Sequence, residues 1–220
     1  MTSQPSPDEF IKVFKKHKEQ GNDVIYIGIS SYSSGTLQSA KIAKQLLDYD
    51  RIYIIDSMQL SHGLEVLIRL ACNLRDMGES AMNVAERIKA AVPKVRFLTF
   101  VNNLKYLSRG GRVKRFSEHD GGKQNMKTLV TMSDGKFTPF DVARGRYGAF
   151  EKMHSIMHRH SVDEMFPVVL THADNREDMH RFEKFLKTKG MIYNYSYSQI
   201  GRVIGSHMSP GTVGIAYIEK

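Results

Sequence analysis

The chain has 220 residues, 41% hydrophobic and 25% charged, which excludes disordered, collagen-like and low-complexity architectures and gives one or two domains with a sizeable core. A single cysteine, Cys72, excludes an internal disulfide framework and a cysteine-rich zinc site, and a reduced, cytoplasmic setting follows. The 32 Lys and Arg against 23 Asp and Glu leave a charge of +9, which attracts anions or merely solubilises the surface.

No run approaches the ~18 apolar residues of a membrane span, so stable membrane insertion is not expected. The polar, proline-bearing Met1 to Glu9 is not a signal peptide. Ser6-Pro7-Asp8-Glu9 is a helix start with a capping box, and Gly21 ends the helix. Val24 to Ile29 is apolar nearly throughout and predicts a buried strand. Ser30 to Gly35 is a loop, Thr36 to Leu47 a helix, and Ile52 to Ile55 a second strand ending at Asp56-Ser57. A helix from Leu60 to Met77, capped by Gly78, places Leu64, Leu67, Ile68, Ala71, Leu74 and Cys72 on its buried face. Ala81 to Ala91 is helical and Pro93 ends it.

Beyond Pro93, Val95 to Val101 predicts a strand, and a short helix with Leu104 and Leu107 ends at Gly110-Gly111. Thr128 to Met132 and Phe137 to Val142 flank Asp134-Gly135, a hairpin signal. Ala149 to His160 and Met179 to Lys189 are helical, and Val168 to Thr171, Met191 to Tyr195 and Val213 to Ile218 are strands. The alternation predicts two α/β domains: residues 1–93 on a parallel sheet with only two strands, and residues 94–220 on a mixed sheet.

Ser30-Ser31-Tyr32-Ser33-Ser34-Gly35-Thr36 lies at the carboxyl end of a parallel strand, where open α/β sheets bind ligands. It reads either as a loop that caps its helix or as an anion cradle of hydroxyls and free backbone N–H groups. It lacks the lysine of a phosphate-binding loop and the last glycine of a nucleophile elbow. Gly110-Gly111-Arg112, Arg144-Gly145-Arg146 and the His207 loop, Gly205 to Gly211, are further polar candidates. Each also reads as plain surface. His172 and Asp174 lack a third ligand at metal spacing, so no metal is expected.

Taken in order, a set of segments resembles the DegV family of bacterial lipid-binding proteins. They are Thr2 to Pro7, Ser30 to Ala40, Ile55-Asp56-Ser57, Leu104 to Val113, Asp134-Gly135-Lys136, Val142 to Arg146 and Ile204 to His207. The resemblance implies a two-domain α/β fold holding a long-chain fatty acid in an apolar tunnel, with no other cofactor. It implies a non-catalytic protein that presents the carboxylate to a separate fatty acid kinase for acyl phosphate formation. By motif position, Thr2, Ser3, Ser34 with Gly35, and His207 are the implied fatty-acid contacts, and Arg112 and Arg144 the implied head-group or partner contacts. The chain departs from the family in three places. It opens at the Thr-Ser motif, one strand-helix-strand unit short; Ser209 replaces the first glycine of His-x-Gly-Pro-Gly; and no proline follows Lys127. The alternatives are a serine-dependent hydrolase or phosphoryl enzyme using Ser34, His207 and Asp56, or a nucleic-acid module on Arg109 to Arg115. The latter lacks interleaved aromatic residues, so no nucleic acid partner is expected.

Overall fold

The computed structural model describes residues 3–102, 106 and 125–220. The expected short helix around Leu104 to Leu107 and the Gly110-Gly111 turn lie outside the described residues. In chain order the elements are α1 (Pro7–Glu19), β1 (Val24–Gly28), α2 (Thr36–Leu47), β2 (Ile52–Asp56), α3 (Ser61–Asp76), α4 (Ala81–Ala91), a 3-10 turn (Val92–Lys94) and β3 (Val95–Val101). Then follow β4 (Met126–Ser133), β5 (Lys136–Arg144), α5 (Gly145–Arg159), β6 (Val168–Ala173), α6 (Arg176–Thr188), β7 (Tyr195–Gln199), α7 (Arg202–Gly205) and β8 (Thr212–Ile218).

β1 and β2 pair in parallel, and the other six strands form a mixed sheet in the order β5-β4-β3-β8-β6-β7. The period of two along β3 divides its side chains between the sheet's two faces. Leu98 and Phe100 point to a core with Phe150, Met153 and Phe182 of α5 and α6. Val95 packs with α3 and α4, and Phe97 and Val101 join a third cluster described below. α3 and α4 therefore lie between the large sheet and β1–β2, with Ile25, Ile27 and Ile55 on their other side. Phe14 of α1 and Ala40 and Ala43 of α2 cover the far face of the small sheet.

This sandwiching corrects the expected buried face of α3. Val66, Leu67, Leu70 and Leu74 are buried, whereas Ile68 is 43% exposed. A helix wedged between two sheets buries two stripes, so a single-stripe reading misassigns part of the surface. Ile68 and the partly exposed Cys72 instead line an open groove with Ile25 and Ile27 beside β1.

The last strand before α7 is also corrected, from Met191–Tyr195 to Tyr195–Gln199. Met191 closes α6: its N–H donates to the Leu186 carbonyl while Gly190, at φ +79°, donates to Lys187. This left-handed stop places a hydrophobic residue just past the glycine. Among the described residues, no helix is long and apolar enough to cross a membrane.

Candidate functional site

The carboxyl ends of β1 and β2 carry two loops that are tied to each other. The Ser30 N–H donates to the Gln59 carbonyl, and the Ser57 N–H to the Gly28 carbonyl. Asp56 fastens them further, accepting from the Ser31 N–H at 3.3 Å and the Met58 N–H at 2.9 Å. Met58 and Ser61 sit at φ +53° and +42°, so the second loop is held in a left-handed form that non-glycine residues adopt at a cost.

The first loop turns into α2 through Ser34. Its Oγ accepts from the Thr36 N–H at 3.2 Å and lies 2.8 Å from Thr36 Oγ1. The cap residue Gly35 contributes no side chain, and no acidic residue occupies the first turn of α2. A helix start so arranged presents free N–H groups and two hydroxyls to an anion. Gln4 lies against Gly35 and donates from Nε2 to the buried Ser39 Oγ at 3.2 Å. Ser3, the residue before Gln4, is exposed. Thr2 and Arg112 lie outside the described residues.

Ser30 was absent from the expected contacts and proves to be fully buried, its hydroxyl donating to the Gly135 carbonyl at 2.6 Å. No local sequence signal gives that long-range bond, although Asp134-Gly135 announced the turn it reaches.

Between these loops and the His207 loop runs the third apolar cluster. Ile29 and Leu60 come from the loops, Phe97, Val101, Val130, Met132 and Phe137 from the sheet, and Ile200, Ile204 and Met208 from the segment around α7. Phe97 and Val101 alone span about 13 Å of strand at ~3.3 Å per residue.

His207 is half-buried, and its N–H donates to the Ile204 carbonyl at 2.9 Å. Ser209 is buried and accepts from the Asn102 N–H at 3.0 Å, so its hydroxyl finds a use in place of the family's glycine. Gly211, at φ +85°, is pinned on three sides. It donates to the Ala173 carbonyl, it accepts from Asn175 Nδ2 at 3.0 Å, and Asn102 Nδ2 stands 1.9 Å from the position a Cβ would occupy. Asn102 in turn accepts from Lys127 Nζ at 2.5 Å. Burial, with the nearby Arg146 charge, lowers the Lys127 pKa against the opposing pull of Asp178. Asn102 and Asn175, which position the His207 loop, carry no recognisable motif. Arg144 is exposed at the end of β5, opposite Met126 and before the uncapped start of α5.

A buried histidine adjoins the cluster. His62 is wholly buried, stacks on Phe97 at 3.9 Å between centroids, and lies over Gly214. Its ring nitrogens lack partners of normal geometry. Burial, only weakly opposed by the Leu98 backbone, drops its pKa to about 3 and keeps the ring neutral.

The described residues thus join a hydroxyl-bearing helix start, a histidine loop and an apolar cluster, an arrangement suited to an amphiphile with an anionic head. A DegV domain-containing protein of Caldanaerobacter subterraneus subsp. tengcongensis is 33% identical over 220 residues, covering 100% of this chain and 79% of that protein. A solved structure described as fatty acid binding of a DegV family protein from Thermus thermophilus superposes with a TM-score of 0.90 at 25% identity, covering 100% of this chain and 79% of that one. The Streptococcus pneumoniae fatty acid kinase B3 protein loaded with linoleic acid shares the fold, with a TM-score of 0.84 at 21% identity over 99% of this chain and 78% of that one. The family model described as "Uncharacterised protein, DegV family" matches residues 1–220, and with that match the chain belongs to the DegV family.

Proposed function

We propose that this protein binds a long-chain fatty acid, its acyl chain in the cluster around Phe97, Phe137, Leu60 and Met208 and its carboxylate at the hydroxyl loop. The observation that carries this reading is the continuity of that cluster from Ile29, beside the Ser30–Gly35 loop, to Met208, beside His207. Each buried methylene contributes ~0.8 kcal/mol, so a 16- or 18-carbon chain supplies ample affinity. The carboxylate needs several donors to offset its desolvation. Thr2, Ser3, Ser34, the N–H groups past Gly35 and His207 fill that role, with Arg112 and Arg144 toward the head group or a partner. The chain divides at Pro93, in the turn that leads from the α3–α4 layer into the large sheet.

The protein performs no chemistry itself and hands the carboxylate to a separate fatty acid kinase in the cytoplasm. One engagement favours this over the hydrolase: Asp56 is occupied by the backbone N–H groups of Ser31 and Met58. The fatty-acid binding seen for the Thermus thermophilus relative adds support. The test is titration of delipidated protein with oleate and with oleyl alcohol. Oleate should saturate at one per chain, and the alcohol should bind at least tenfold more weakly for want of a charge to meet the donors. With ATP and a fatty acid kinase, bound oleate should be consumed. Turnover of an oleate ester by the protein alone would overturn the reading.

A further inference from the structure

The tip of the β4–β5 hairpin is built against the loops of the other sheet. Asp134 and Gly135, at φ +49° and +72°, form the two-residue turn between the paired Ser133 and Lys136. A Cβ on Gly135 would stand 2.6 Å from Ser30 Oγ, 2.8 Å from the Tyr32 ring and 2.9 Å from the Met58 methyl. Only a glycine turn approaches so closely. Ser30 Oγ donates to the Gly135 carbonyl at 2.6 Å in a buried bond, and Lys136 Nζ lies 5.0 Å over the Tyr32 ring. The Ser30 hydroxyl therefore ties the hairpin to the loop: it donates to Gly135 and accepts from the Tyr32 N–H at 3.3 Å.

The hairpin also projects beyond its neighbour strand. β4 pairs with β3 only from Thr128 to Thr131, so Met132 to Phe137 overhang the large sheet as a two-stranded ribbon. A register shift at Leu129/Val130 interrupts the β4–β5 ladder within the β3-paired stretch, two residues before the overhang begins. An isolated two-stranded ribbon is marginal in water, so the tip contacts and the apolar packing hold it down. Its underside, Met132 and Phe137, forms one wall of the cluster assigned above to the acyl chain.

We propose that this overhanging hairpin tip is a strap over the acyl compartment, latched by the bond from Ser30 Oγ to the Gly135 carbonyl, and that the fatty acid enters and leaves when the latch breaks. The proposal rests on the fatty-acid-binding reading. A latch affects the free energy of opening, which entry and exit share, so weakening it speeds both and leaves their ratio nearly unchanged. A direct ligand contact instead changes exit alone.

The experiment follows radiolabelled palmitate loading onto delipidated protein, and its transfer from loaded protein to phosphatidylcholine vesicles. Wild type is compared with Ser30→Ala and Lys136→Ala, alongside amide hydrogen exchange of residues 132–137. Loss of a buried hydrogen bond that leaves a carbonyl unpaired should raise the open population about tenfold in Ser30→Ala, with entry and exit both faster and Kd within about threefold. Loss of the exposed cation–ring contact should give a weaker effect in the same direction, about two- to fivefold, in Lys136→Ala, a surface change that spares the fold. In both variants, hydrogen exchange at 132–137 should quicken. Faster exit with unchanged entry would make Ser30 a ligand contact and overturn the strap. So would unchanged palmitate rates despite faster exchange at the tip. Failure of the wild type to bind palmitate would overturn the fatty-acid reading itself, and the strap with it.

Discussion

Gln4 lies directly on Gly35: its Oε1 stands 1.9 Å from the place a Gly35 Cβ would take, and its Nε2 holds Ser39. Gly35 has φ −73°, so an alanine there suffers no backbone strain, and the atom it strikes is the far end of an exposed side chain. Gly35→Ala should therefore change the unfolding midpoint little, less than about 1 kcal/mol. It should nevertheless push the Gln4 side chain off Gly35 and weaken palmitate binding about tenfold. Equilibrium titration beside urea unfolding separates the two effects.

Gly211 gives the opposite balance. Its φ of +85° and the pinned Asn102 amide leave a Cβ nowhere to go. Gly211→Ala should cost about 2–4 kcal/mol, combining left-handed strain with a displaced hydrogen-bonded neighbour. A thermal midpoint within about 2 °C of the wild type would refute this.

Ser34→Ala removes a loop hydroxyl that also receives the Thr36 N–H. The fold should lose about 1 kcal/mol, as for other helix-start hydroxyls. Palmitate affinity should fall roughly 10- to 150-fold, matching ~1.5–3 kcal/mol for a bond to a charged group. Unchanged affinity in a calorimetric titration would remove Ser34 from the ligand's contacts.

His62 makes the fold acid-sensitive. Its folded pKa, about 3, lies below the ordinary value of 6.5, so the unfolded chain takes up the proton first. Stability is then full above about pH 6.5 and falls as pH drops toward 3. Between pH 8 and 5 the loss from this group should be about 2 kcal/mol. In His62→Leu that part of the acid dependence should vanish, and because the ring nitrogens lack good partners, stability at pH 7 should hold or rise. Urea midpoints measured from pH 8 to 5 decide it.

Local chemistry made much of this fold legible. The Ser6–Glu9 capping box starts α1, and the Schellman-type stop at Gly78 ends α3, with Gly78 and Glu79 donating to Arg75 and Leu74. Asp134-Gly135 makes the hairpin, and the apolar run of Val95 to Val101 makes β3. What failed was set by distant partners. The exposure of Ile68 depends on two sheets closing on α3, and the edge strand Tyr195-Ser-Tyr-Ser-Gln199 is too polar to announce itself beside the apolar Met191. Of the site, the hydroxyl loop and the glycine-bounded His207 loop were visible as motifs. The Ser30–Gly135 bond joins residues 105 positions apart, and the Asn102 support of Ser209 joins residues 107 apart, so neither leaves a local trace.

The central claim is that the cluster from Ile29 to Met208 holds a fatty acid. Native mass spectrometry of the protein as purified, followed by solvent extraction and identification of the released lipid, tests it most directly. The account predicts a mass one long-chain fatty acid above that of the 25.1 kDa chain, lost on delipidation and restored by added palmitate. A bare chain mass that palmitate leaves unchanged would contradict it.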